Sequence, residues 1–260
     1  MIFMILKQNI LNKRGLKLST IFEFPDQRKR FPAIILLQGF LGKKDGEKVA
    51  SFSNYLKQIG FAAARFDPAG FGESDGKTID EYFTSNILDD LESIYKALLV
   101  NDFVDKAKIS IWGQSMGGML AIIFAAKHPE IKSICVVSPP AQITKDDDLE
   151  KILSEWENRG FLLRQNSEKQ EIKISYDFVK DVQRWNAEDF VFGINGPILI
   201  ISGSKDTTVP VRVSRNIFSR AKLPKEFIEI PGMSHDYKEN SEHLRIINQL
   251  SGDFFLKNLK

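Results

Sequence analysis

The chain has 260 residues, of which 43% are hydrophobic and 27% charged, and its 36 basic and 34 acidic side chains leave a formal net charge of +2. That is ordinary globular composition, long enough for one large α/β domain or one domain with an insertion. The near balance of charge argues against a dedicated nucleic-acid surface, and no apolar run approaches the roughly 20 residues of a membrane span.

Met1–Leu6 is apolar but short and is followed by Lys7, so it reads as a first strand rather than a secretion signal, and a cytoplasmic location is expected. Residues 1–24 pattern as a β-hairpin turning at Asn12-Lys13-Arg14-Gly15. The clusters Arg28-Lys29-Arg30 and Lys43-Lys44 read as solvated loops. Ala33–Leu37 is a continuous apolar run, as suits a strand buried on both faces of a parallel sheet. It ends in the loop Gln38-Gly39-Phe40-Leu41-Gly42. A helix over residues 46–59 presents Val49, Phe52, Leu56 and Ile59 on one face. Residues 61–67 form the next strand and run into Pro68-Ala69-Gly70-Phe71-Gly72-Glu73-Ser74, a Gly/Pro loop. An amphipathic helix follows over 83–100, with Ile87, Leu91, Ile94 and Leu98 in one stripe.

The central unit is Ile109-Ser110-Ile111-Trp112-Gly113-Gln114-Ser115-Met116-Gly117-Gly118: strand, tight turn, helix. A serine at the apex with glycine two places to either side is the pattern of a strained turn that lifts a hydroxyl clear of the backbone. The helix Met116–Lys127 is apolar nearly all round, so it is expected to be buried, and Pro129 stops it. Residues 131–137 are another strand; its Cys135 is the one cysteine and reads as a small buried hydrophobe without an internal disulfide partner. Residues 197–202, 211–221, 226–230 and 241–259 read as strand, helix, strand and closing helix. The alternation predicts an α/β fold: a mostly parallel eight-stranded sheet with helices on both faces. Residues 1–140 and 196–260 make that core. Residues 141–195 interrupt it as an inserted cap above the site. In this insertion Thr144 is placed to cap a helix opening with Asp146-Asp147-Asp148, Gly160 ends that helix, Phe161–Arg164 and Glu171–Ile174 can pair as a hairpin, and a helix spans 176–185.

A serine hydroxyl needs a base to take its proton. The chain has three histidines. His128 trails the buried helix away from the turn, and His243 lies on the final helix near Glu239 and Glu242. His235 follows the last strand at the carboxyl edge of the sheet, where ligands gather, and is the expected base. Asp206, in the loop after the strand 197–202, is the expected acid. Asp67 is expected to anchor the Gly70–Ser74 loop, and Asp236 is expected to point away from its neighbour His235. The oxyanion of a tetrahedral intermediate would take the backbone N–H groups of Met116 and of Phe40, the latter preferred over Leu41. No Cys/His cluster suggests a metal, and this chemistry needs no cofactor.

Order, motif and spacing resemble the α/β-hydrolase superfamily over nearly the whole chain. The matching stretches are Gln38–Gly42, Asp67–Ser74, Gly113–Gly117, Gly203–Pro210 and Gly232–His235. They are most similar to its compact, capped serine esterases, including the cinnamoyl/feruloyl-esterase-like and serine-aminopeptidase-like groups. The resemblance implies Ser115 as nucleophile, Asp206 as acid, His235 as base, and the N–H groups of Phe40 and Met116 as the oxyanion hole. Relatives usually carry His-Gly where this chain has Gln38-Gly39, and a Gln side chain can still anchor that loop. The expected activity is hydrolysis of a small-molecule carboxylic ester through an acyl-enzyme. An aminopeptidase or amidase on the same triad, or a non-catalytic binding protein of this fold, are the alternatives. Gln38, Trp156, Phe161 and Trp185 are expected at the substrate. The sequence leaves monomer and homodimer both open.

Overall fold

The computed structural model describes residues 3–26, 30–142, 147–165 and 171–260. The Thr144 cap and the solvated reading of Arg28 and Lys29 lie outside the described residues. The chain opens with the antiparallel hairpin β1 (Met4–Leu11) and β2 (Lys17–Phe24), followed by β3 (Phe31–Leu37), α1 (Glu47–Gln58) and β4 (Ala62–Phe66). A short α2 (Thr78–Glu81) and the long α3 (Thr84–Val100) lead to β5 (Val104–Gln114), α4 (Met116–Lys127) and β6 (Ile134–Val137). The insertion holds α5 (Asp147–Arg159), the hairpin β7 (Phe161–Gln165) and β8 (Glu171–Ser175), α6 (Asp177–Val182) and α7 (Ala187–Phe190). The chain closes with β9 (Ile198–Gly203), α8 (Val211–Arg220), β10 (Lys225–Ile230) and α9 (Ser241–Leu259).

Eight of these strands form one sheet in the order β1-β2-β4-β3-β5-β6-β9-β10. From β4 to β10 every pairing is parallel; β2 pairs antiparallel with both β1 and β4. The continuous apolar runs have a direct cause here. Successive side chains alternate faces, and both faces are covered. Ile35, Leu37, Ile109, Ile111, Ile198 and Ile200 pack into one layer with Leu91, Ile94 and Leu98 of α3 and the apolar body of α4. Ile34, Leu36, Trp112, Leu199 and Ile201 pack on the opposite face with Phe52 and Leu56 of α1 and Phe254 and Phe255 of α9. Cys135 is fully buried in this second layer, free of any disulfide.

Two expectations needed revision. Lys44 is not solvated but buried, its ammonium 2.8 Å from Asp67 and 2.6 Å from Glu73. The helix expected over 176–185 stops at Val182, because the Asn186 side chain accepts the Glu188 N–H and starts α7 afresh. Among the described residues of the insertion, Trp156, Ile174, Phe178, Val179 and Val182 join the same layer as α3 and α4. No helix among the described residues is long and apolar enough to cross a membrane.

Candidate active site

The turn from β5 to α4 sets the site. Ser115 sits at φ 55, ψ −125, a strained backbone for a residue with a side chain. Its N–H donates to Val137 O at 2.9 Å, and its carbonyl accepts from Gly118 N at 2.8 Å, so the strain is held from both sides. A Cβ on Gly113 would overlap the Gly117 carbonyl, and one on Gly117 would overlap the carbonyls of Leu37 and Gln38. The two glycines are therefore required by close backbone approach rather than by flexibility.

Two further loops converge on the serine from the carboxyl edge of the sheet. Asp206 follows β9 and is nearly fully buried. Its Oδ1 accepts the N–H groups of Thr208 at 3.1 Å and Val209 at 2.8 Å, which leaves Oδ2 facing His235 Nδ1 at 2.8 Å. His235 follows β10, and its Nε2 lies 3.0 Å from Ser115 Oγ. A carboxylate can only accept, so Nδ1 carries the proton and Nε2 is left with a lone pair toward the serine hydroxyl. Burial pushes the Asp206 carboxyl up, but the hydrogen bonds from His235 and the Val209 N–H outweigh it and hold the group below its usual range. The three residues expected from the sequence thus stand in one hydrogen-bonded line.

Rival residues are engaged elsewhere. His128 contacts Phe124 O at 2.9 Å and Glu92 at 2.7 Å and stacks on the Phe124 ring. Asp67 accepts from the Lys44 backbone and ammonium and from the Glu73 N–H, which ties its loop down. Asp236 pairs with Lys48 at 2.9 Å, and the same Lys48 ammonium donates to His235 O at 3.1 Å.

At the other side of Ser115, Met116 opens α4, where the first N–H groups have no partner within the helix. The loop after β3 places Gly39 against Ser115; a Cβ there would meet Ser115 Cβ at 3.3 Å. Leu41 N–H donates to Tyr82 Oη at 2.8 Å, whereas the N–H groups of Phe40 and Met116 make no hydrogen bond among the described residues. The Gln38 side chain turns into the protein. Its Nε2 donates to Phe66 O at 2.8 Å, and its Oε1 is buried without a partner, so it anchors the loop rather than facing substrate.

The aromatic expectations divide. Trp156 is 6% exposed and spends its indole N–H on Ile174 O at 2.9 Å, inside the insertion. Trp185 donates to Ser85 Oγ at 3.1 Å and lies under the Lys127 ammonium. Phe161 is half-buried beneath Lys173. Phe40, next to Gly39 in the loop after β3, has its ring 5.3 Å from Phe178 and 5.8 Å from Tyr82, and Trp156 stacks behind Phe178. Buried Trp rings settle where their N–H finds an acceptor, which is why these two serve packing. Sequence reasoning also passed over Gln114, whose Nε2 lies 3.4 Å from His235 Nε2; its place directly before the serine was the available signal.

Residues 31–189 match the family model described as serine aminopeptidase, S33. The chain belongs to that family of α/β hydrolases. Among its curated relatives, human palmitoyl-protein thioesterase ABHD10, mitochondrial, is 29% identical over 195 residues, covering 73% of this chain and 61% of that protein. An uncharacterized 31.7 kDa Escherichia coli protein is 30% identical over 54% of this chain and 48% of its own length. The chain thus spans about half to three-fifths of these relatives. Solved structures share its fold from end to end. The α/β hydrolase GrgF from Penicillium sp. sh18 superposes with a TM-score of 0.82 at 19% identity, covering 100% of this chain and 99% of that one. Est1E from Butyrivibrio proteoclasticus with ferulic acid bound gives 0.78 at 24% identity, covering 96% and 98%.

Proposed function

We propose that this hydrolase cleaves carboxylic esters of small to medium acyl or aromatic acids through an acyl-enzyme on Ser115. The observation that carries the reading is the line Ser115 Oγ–His235 Nε2 at 3.0 Å and His235 Nδ1–Asp206 Oδ2 at 2.8 Å. As Ser115 Oγ attacks the carbonyl carbon, its proton passes to His235 Nε2, and Asp206 stabilises the imidazolium that forms. The carbonyl oxygen takes the negative charge and is met by the N–H groups of Phe40 and Met116, the latter with the positive end of the α4 dipole behind it. His235 then returns the proton to the leaving alkoxide. Water, deprotonated by the same Nε2, releases the acid and restores Ser115. Apart from the ester and the water, the steps use groups of the chain itself.

The ester is preferred over a peptide amino terminus because the nearby carboxylates are already paired. Asp45 meets Arg65, Asp67 meets Lys44, Asp206 meets His235 and Asp236 meets Lys48. None of these four is left to bind an ammonium group. The partly exposed Phe40 ring, backed by the buried Phe178, favours an apolar or aryl acyl group, with residues 141–195 acting as a cap over it. The similarity to a protein named as a palmitoyl-protein thioesterase favours a second reading, an acyl thioester, on the same machinery. A cytoplasmic location remains part of the proposal, consistent with a single, buried, unpaired Cys135.

The test is a substrate panel on the wild type and on Ser115→Ala: p-nitrophenyl esters of two to twelve carbons, methyl hydroxycinnamates, a palmitoyl thioester and aminoacyl anilides. We expect the highest kcat/KM on an oxygen ester and no turnover above background by the variant. A dominant rate on the thioester selects the second reading, and a dominant rate on anilides overturns both.

A further inference from the structure

The loop that would supply the Phe40 N–H is poorly supported from below. A cavity of about 20 Å³ lies beneath it, bounded by Gln38, Gly39, Tyr82 and Met116 among others. That volume admits about one water molecule and no side chain. The side chains of Phe40 and Leu41 pack on the core, and hydrogen bonds complete the fixing of the backbone between them. Gln38 Nε2 ties its start to Phe66 O, and Gly42 N–H closes a turn on Gly39 O at 2.9 Å. Between them Leu41 stands at φ 54, in the left-handed region that a branched side chain rarely adopts. Such a residue flips back unless something holds its peptide. The bond from its N–H to Tyr82 Oη at 2.8 Å is what holds it.

Tyr82 is itself firmly placed. It follows α2, is 3% exposed, and its ring is in contact with Phe71 at 5.5 Å, Phe40 at 5.8 Å and Phe178 at 6.0 Å. We propose that Tyr82 is a positioning residue for the oxyanion site: its hydroxyl accepts the Leu41 N–H, removes that donor from the substrate side and thereby aims the neighbouring Phe40 N–H at the carbonyl oxygen. Tyr82 does not touch substrate. Burial pushes its ionisation well above the usual phenol range despite the Leu41 hydrogen bond, so the acceptor is neutral throughout the working pH range. The inference rests on the acyl-enzyme reading above and adds to it a residue acting through the loop.

The experiment compares wild type with Tyr82→Phe, which keeps the ring and its aromatic contacts. Losing alignment of one oxyanion donor is expected to lower kcat about 10- to 100-fold, with KM changed less than about threefold. The inhibition constant of a trifluoromethyl ketone, which forms the tetrahedral adduct, should worsen by the same factor as kcat/KM. Its thermal midpoint should stay within a few degrees of wild type. Should Tyr82→Phe fail to fold, replacing the Leu41 amide by a main-chain ester removes the donor while leaving Tyr82 in place, and the same kcat loss is expected. Wild-type kcat in a folded Tyr82→Phe or in the ester variant, or a loss confined to KM, overturns the proposal alone. A wild type that neither turns over esters nor reacts at Ser115 overturns the acyl-enzyme reading with it.

Discussion

Asp206 carries two duties that a substitution can separate. It fixes which nitrogen of His235 bears the proton, and its Oδ1 caps the turn after β9 through Thr208 and Val209. Asn can keep the turn but can also present an N–H to His235 Nδ1, which selects the wrong tautomer. On the proposed mechanism Asp206→Asn lowers kcat by on the order of 10⁴-fold while the circular dichroism spectrum is unchanged. Steady-state rates on the best ester check this; a folded variant keeping a tenth of the activity contradicts it. The same residue shows why the triad was legible in the chain. Ser115, Asp206 and His235 each follow directly on a strand of a parallel sheet, so one rule about carboxyl edges locates all three. Tyr82 had no such rule. It lies just beyond a four-residue helix, beside Phe83, and its role comes from a contact with Leu41, 41 residues away.

Among the elements, α1 is bound to the sheet by a buried charge cluster. Glu23 of β2 accepts from Lys57 at 2.7 Å and from Ser53, both on α1, and from Arg65 of β4 at 3.2 Å. Arg65 reaches on to Lys44 O at 2.7 Å and Asp45 at 2.6 Å, which links the cluster to the loop after β3. Burial raises the Glu23 carboxyl, but Lys57, Ser53 and Arg65 outweigh it and bring the group below 4.5. A carboxyl depressed by folding stabilises the native state above its unfolded value and loses that contribution as pH falls through the folded one. Glu23→Gln leaves the buried Lys57 without its counter-charge and Arg65 with Asp45 alone, and should cost about 3–5 kcal/mol at pH 7. The gap to wild type should narrow progressively below pH 4.5. Urea unfolding from pH 7 downward measures it, and an equal difference at every pH contradicts the linkage. At this scale the sequence was read well where elements are long. The stripe Val49–Phe52–Leu56 and the closing helix from Ser241 to Leu259 carry enough turns for a 3.6-residue period to show. Helices α2 and α7 have four residues each, too few for any period, and depend on tertiary partners such as the Thr78 hydroxyl on Gly70 O at 2.6 Å.

In the molecule as a whole, the insertion is fastened to the core rather than hung beside it. The Asp181 carboxylate accepts the Ser85 N–H at 2.8 Å and the Ser85 hydroxyl at the start of α3, and Trp185 donates to that same hydroxyl. Its apolar residues continue the layer that covers α3 and α4. The alternation of strands and helices made the core legible, and the 55-residue break in that alternation, residues 141–195, marked the insertion. How it seats could not be read, because the side chains that fasten it, Asp181 and Trp185, come from a six-residue helix and the turn after it and pair with Ser85, about 100 positions away. The sheet brings three loops and one strained turn to a single edge, and the account stands on the claim that Ser115 is the nucleophile assembled there. The direct measurement is reaction of the intact protein with a fluorophosphonate, followed by mass spectrometry of its peptides. The account predicts one adduct per chain, on Ser115, abolished in Ser115→Ala and strongly slowed in Asp206→Asn. A folded wild type that stays unmodified, or an adduct mapped to another residue, would contradict it.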